Sequence, residues 1–142
     1  MNIGILCSNI GTIGSHFNIA TLTELENTAL LKIFNEFKDI FDKVEIAIIF
    51  GSIVRTPKTA NDMDILLVFQ HCNLKAIKKY LDEKNNIMIK PVHAILQTPQ
   101  DFEKNLQKND PVILNALSKG YVIYGQEKLI EAIKHVTGFK ES

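Results

Sequence analysis

The sequence predicts an α/β (α+β) architecture in a single domain, a mixed β-sheet flanked by helices. Three observations carry that expectation. Residues 44–50 and 64–69 are short, nearly continuous apolar runs, the pattern of strands buried on both faces. Residues 21–41 place Leu22, Leu25, Ala29, Leu30, Ile33, Phe34, Phe37, Ile40 and Phe41 on one stripe of a 3.6-residue period. From Asn73 onward, helical and strand patterns follow one another with turn residues between them.

A chain of 142 residues suffices for one domain with a core and is too short for two comfortable ones. Sixteen Lys and Arg balance sixteen Asp and Glu, so no strong field draws in a nucleic-acid backbone. That argues against a processive polymerase and against extended nucleic-acid binding. Cys7 and Cys72 lack metal or redox spacing and read as free thiols. No apolar run reaches membrane-spanning length, and the first basic residue is Lys32, so the start lacks the charged leader of a secretory signal. The expected location is cytoplasmic, with no membrane partner.

Residues 1–20 read as an N-terminal arm or edge strand, packed on the domain or exchanged in a homo-oligomer. Gly11 and Gly14 make no phosphate loop, because no Gly-Lys-Ser/Thr follows. The domain itself is expected over residues 21–136. Its first helix opens at the capping box Thr21-Leu22-Thr23-Glu24 and runs to Phe41 as core support. Asn73 caps a helix to about Lys84, with Leu74, Ile77 and Leu81 inward. Its outer lysines, Lys75, Lys78 and Lys79, are a solvated face or a partner patch. Asn85-Asn86 turns the chain into a third strand, residues 87–97, where Pro91 marks an edge or bulge. Thr98-Pro99 and Asp110-Pro111 open two helices, the second stopping at Gly120. Residues 121–125 form a short strand in which Tyr124 borders a pocket or simply packs. Residues 127–136 form a last helix, and 137–142 a flexible tail.

The chemistry is concentrated in residues 50–69. Side chains two apart in a strand share a face, so Asp62 and Asp64 project together if they open the second strand. Neighbouring carboxylates repel unless a cation joins them. Hard oxygen ligands suit Mg²⁺, which takes substrate phosphates as further ligands. Ahead of them, Gly51 permits a tight turn and close backbone approach. Ser52 offers a hydroxyl and a cap for a following turn, whose N–H groups would face an anion. Arg55 can fork onto a phosphate, and Lys58 is a second cation in the same segment. Pro57 limits any helix here to a turn or two.

Gly51-Ser52, nine residues, then Asp62-Met63-Asp64 and a buried strand resembles the signature of the polymerase β-like nucleotidyltransferase superfamily. More narrowly it resembles the stand-alone minimal nucleotidyltransferases. Arg55, three residues after the serine, fits the pattern; Asn61 stands where the family often has serine. The resemblance is sharp over residues 44–70 and looser to about 125. It implies the polymerase β-like fold and transfer of a nucleoside monophosphate, AMP from ATP, to a hydroxyl on a protein or small molecule. The β- and γ-phosphates would lie against Gly51, Ser52 and Arg55, with one or two Mg²⁺ on Asp62 and Asp64. Relatives of this size are often antitoxins of HEPN-type toxins, which the resemblance makes an expected partner.

One departure bears on catalysis. The superfamily commonly carries a third carboxylate on the third strand, yet residues 87–97 hold no acid. His93 lies near the expected place, as a neutral-pH base or as a half-buried strand histidine. Asp101, Glu45 and Asp110 are remote candidates, and Asp101 reads better as a helix cap. A catalytically impaired nucleotide-binding or partner-neutralising module is therefore the alternative expectation.

Overall fold

Ile46–Phe50 (β1) is buried at every residue, and the sheet is laid out around it. The computed structural model describes residues 28–138. Met63–Val68 (β2) pairs antiparallel with β1, and Tyr121–Tyr124 (β4) pairs antiparallel with its other side. Val92–Gln97 (β3) runs parallel to β2, giving the order β3-β2-β1-β4. Parallel neighbours need a crossover, supplied here by Leu74–Ile87 (α3). The remaining α-helices among the described residues are Thr28–Phe37 (α1), Ser52–Arg55 (α2), Pro99–Gln107 (α4), Pro111–Lys119 (α5) and Gln126–Thr137 (α6).

Strand alternation sends apolar side chains to two layers. Ala47, Ile49, Ile65 and Leu67 meet Leu30, Ile33 and Phe37 of α1 and Ile77 and Leu81 of α3. Ile46, Ile48, Leu66 and Val68 meet Phe102 and Leu106 of α4, Ile113 and Leu117 of α5 and Leu129 and Ile133 of α6. The mixed sheet flanked by helices, a single domain among the described residues, is the expected fold.

Several boundaries differ from expectation. The first helix does not run unbroken to Phe41: it tightens into a 3₁₀ helix over Lys38–Lys43, which still buries Ile40 and Phe41. The first strand starts at Ile46 rather than Val44. α3 continues past Lys84 to Ile87, so the third strand begins only at Val92. Residues 85–87 are helix because α3 is anchored on α1: Lys84 Nζ meets Glu36 Oε2 at 2.8 Å and the Tyr80 hydroxyl donates to the Glu36 carbonyl. Pro91 ends the connection, its carbonyl accepting from Met63 N–H at 2.9 Å. Both Pro-opened helices are capped as read: Thr98 Oγ1 accepts from Asp101 N–H, and Asp110 Oδ1 accepts from Val112 and Ile113 N–H. The arm at residues 1–20, Cys7, the capping box at residues 21–24 and the tail beyond residue 138 lie outside the described residues.

Asn85 pins the start of β3. Its Oδ1 accepts from Val92 N–H at 2.6 Å, and its Nδ2 donates to the Val92 carbonyl at 3.3 Å. Two such bonds contribute about 1–3 kcal/mol together. Asn85→Ala is expected to lower unfolding free energy by about that amount in urea titration, and to speed hydrogen exchange at the Val92 amide.

Candidate active site

The site forms where three strands end side by side. Asp64, second residue of β2, lies across from Phe50, the last of β1, and beside His93, the second of β3. Partners in register share a sheet face, so Asp64 and His93 point the same way. Asp62 precedes the strand instead of opening it, yet its carboxylate reaches the same point. His93 Nδ1 lies 3.3 Å from Asp62 Oδ2 and 3.8 Å from Asp64 Oδ1. Both aspartates are half-buried, while the His93 side chain is 61% exposed. The half-buried alternative for His93 is therefore corrected: an edge strand leaves its ring at the rim.

Burial raises the Asp64 carboxyl above the ordinary aspartate value of 3.8; the Asp62 charge raises it further, and His93 pulls the other way. The cause is the one that makes a carboxylate pair a cation site: ionising Asp64 is unfavourable until positive charge joins it. One ligand atom from each of Asp62, Asp64 and His93 can be chosen so that all lie within 4.8 Å of one another. The donor set fits a divalent cation.

Gly51 closes the site from the β1 side. It has φ +83° and ψ −159°, a region nearly reserved for glycine. A Cβ there would fall 2.3 Å from Asp64 Oδ2, so only a bare backbone fits against the carboxylate. Ser52 is corrected in one respect. Gly51, which has no side chain to cap with, is the N-cap of α2, and Ser52 is its first residue. The turn is closed by Thr56 N–H donating to the Ser52 carbonyl at 2.8 Å. Arg55 and Lys58 are exposed on the β1–β2 connection and make no ion pair among the described residues.

Sequence reading missed two supports of this region. Lys90 Nζ donates to the Pro57 carbonyl and ties the connection to the approach to β3. Asn85 fixes the strand that carries His93. Neither had a local signal, because each bond joins segments that meet only after folding.

The remote carboxylates lie elsewhere. Glu45 N–H bonds the Val68 carbonyl at the far end of β2, where the Glu45 side chain accepts from Gln70. Asp101 follows the far end of β3, and Asp110 is occupied as a cap. Tyr124 pairs with Ala47, away from Asp64, and stacks on Phe41 at 4.7 Å between ring centroids; the cavity it borders is lined with Val44, Glu45 and Gln126, not with the acidic pair. A cavity of about 250 Å³ bordered by Glu45, Phe102, Glu103 and His135 shares no residue with the site.

The family model described as polymerase beta, nucleotidyltransferase, matches residues 19–129. The chain belongs to this nucleotidyltransferase family, as its signature residues and sheet agree. No curated protein matches it. Among solved structures, it is similar to a chain in the complex of a tri-AMPylated HEPN toxin from Shewanella oneidensis with an MNT antitoxin. Identity is 15%, the alignment covers 78% of this chain and 82% of that chain, and the TM-score is 0.46. The family assignment rests on the match over residues 19–129.

Two predictions follow from this geometry. Gly51→Ala is expected to cost about 1–3 kcal/mol of stability in urea titration, through its backbone conformation alone, and to displace Asp64. Asp64 binds its proton more tightly folded than unfolded, so its ionisation lowers stability as pH rises from 3.8 through the raised folded value. In divalent-free buffer, Asp64→Asn is therefore expected to melt higher than wild type at pH 7, with the gap closing as pH falls towards 3.8.

Proposed function

We propose that this protein transfers a nucleoside monophosphate, AMP from ATP, to a hydroxyl on a protein or small molecule, with Mg²⁺ as cofactor. The observation that carries the reading is the convergence of the Asp62 and Asp64 carboxylates, with Asp64 against the bare backbone of Gly51. In this reading Asp62 and Asp64 hold the cation, which when bound neutralises phosphate charge on the entering and leaving sides. Gly51 lets the triphosphate approach the backbone, and the Ser52 hydroxyl donates to it. Arg55 forks onto its phosphates, and Lys58 adds a second positive charge. The acceptor hydroxyl forms a bond to the α-phosphorus as the bond to pyrophosphate breaks, its proton passing to solvent or a neighbouring base. Positioning and charge neutralisation supply most of the rate.

The resemblance to minimal nucleotidyltransferases extends the proposal to a partner. The chain would act in the cytoplasm as antitoxin to a HEPN-type toxin, which would also present the acceptor hydroxyl. A second reading has its own observation: a histidine, not an acid, stands beside Asp64 on β3. It would make the protein a nucleotide-binding, partner-neutralising module with impaired transfer.

Incubation with α-labelled ATP, Mg²⁺ and a cell lysate separates the two. Transfer of label to a macromolecule or small acceptor, lost by at least about a hundredfold in Asp62→Ala and Asp64→Ala, is the expected result. Metal-dependent ATP binding without transfer would favour the module.

A further inference from the structure

We infer that His93 is the third ligand of the cation site, and that the site prefers Mn²⁺ to Mg²⁺ by virtue of that imidazole. The inference rests on the site proposed above and changes its preferred ion from the Mg²⁺ named there to Mn²⁺. It begins from register: the parallel pairing puts His93 directly beside Asp64, and Nδ1 is the ring atom turned to both carboxylates. The strand carrying it is held at the preceding residue by both polar atoms of the Asn85 side chain. The ring is thus delivered by an anchored segment, although it lies at the sheet edge. On the opposite side, the missing Cβ of Gly51 leaves Asp64 Oδ2 its place.

The donor set is one imidazole nitrogen and two carboxylates. Mg²⁺ favours oxygen donors and is poorly served by nitrogen. Mn²⁺ accepts carboxylate and imidazole together, and divalent metals later in the first transition row bind nitrogen more strongly still. Among the described residues no carboxylate is grouped with these three to supply the missing oxygen. A histidine at this register therefore changes which ion the site holds while leaving the aspartate pair intact.

The test uses the full chain with Mn²⁺ or Mg²⁺ alone, by calorimetric titration and by electron spin-echo modulation of the Mn²⁺-loaded protein. Wild type is expected to show modulation from a directly bound imidazole nitrogen, absent in His93→Ala. Loss of an indirect partner already costs about 10–100-fold in metal affinity, so His93→Ala should weaken Mn²⁺ binding at least about tenfold. His93→Asp, which supplies an all-oxygen set, should lower the Mn²⁺-over-Mg²⁺ preference by a similar factor and show no nitrogen modulation. Circular dichroism checks that both variants fold, and the wild-type nitrogen signal decides the matter without them. Mn²⁺ binding that lacks nitrogen modulation, or is indifferent to His93→Ala yet lost in Asp64→Asn, overturns His93 as ligand and leaves the proposed transfer standing. Absence of any divalent binding to the free chain also overturns it, and the labelled-ATP assay then judges the transfer reading separately. A nitrogen signal without label transfer supports the ligand assignment and counts against transfer.

Discussion

The carboxylate of Asp64 stands against a stretch of backbone that has no room for a side chain. That contact joins two demands that pull apart. β1 must be apolar throughout to be buried at the centre of the sheet, and its exit must meet an anionic group on the neighbouring strand. Gly51 satisfies both by turning the chain in a conformation other residues avoid. The short helix, the polar connection and the approach to Asp62 follow from the direction in which that turn sends the chain.

Asp64 also shows why such a site is costly to a fold without a ligand. Burial and a like charge both oppose its ionisation. The surrounding structure supplies the compensation: β1 and β2 are filled with branched apolar residues on both faces. A family member with a less completely buried pair of central strands would have less stability with which to offset the repulsion. Fold and site are coupled here through free energy as well as through geometry.

Much of this was legible in the sequence, and the reason is range. Caps at Thr98 and Asp110 act over two or three residues, so residue type and spacing reveal them. The apolar runs and the Asp62–Asp64 spacing are also local, and they place the acids correctly even though the strand begins between them at Met63. What was illegible depends on segments distant in sequence. Asn85 looks like a turn residue because asparagine favours turns. Its real partners lie further off: α3 is tied to Glu36 through Tyr80 and Lys84, and the Asn85 amide meets Val92. Ser52 looked like the cap because of its hydroxyl, whereas the unusual backbone of Gly51 starts the turn one residue earlier. Tyr124 was ambiguous because aromatic residues serve cores and pockets alike, and its stacking partner, Phe41, arrives on the distant 3₁₀ helix.

The amide bridge from Asn85 has a bearing on how the outer margin of the sheet meets other chains. Pro91 and Gln97 turn their carbonyls inward to β2, so by alternation residues 92, 94 and 96 turn theirs outward. Asn85 already occupies both groups of residue 92. A guest segment laid along this margin would find, among the described residues, open partners at Ala94 and Leu96 and a blocked position before them. It would halt one residue short of His93, leaving the mouth of the pocket uncovered.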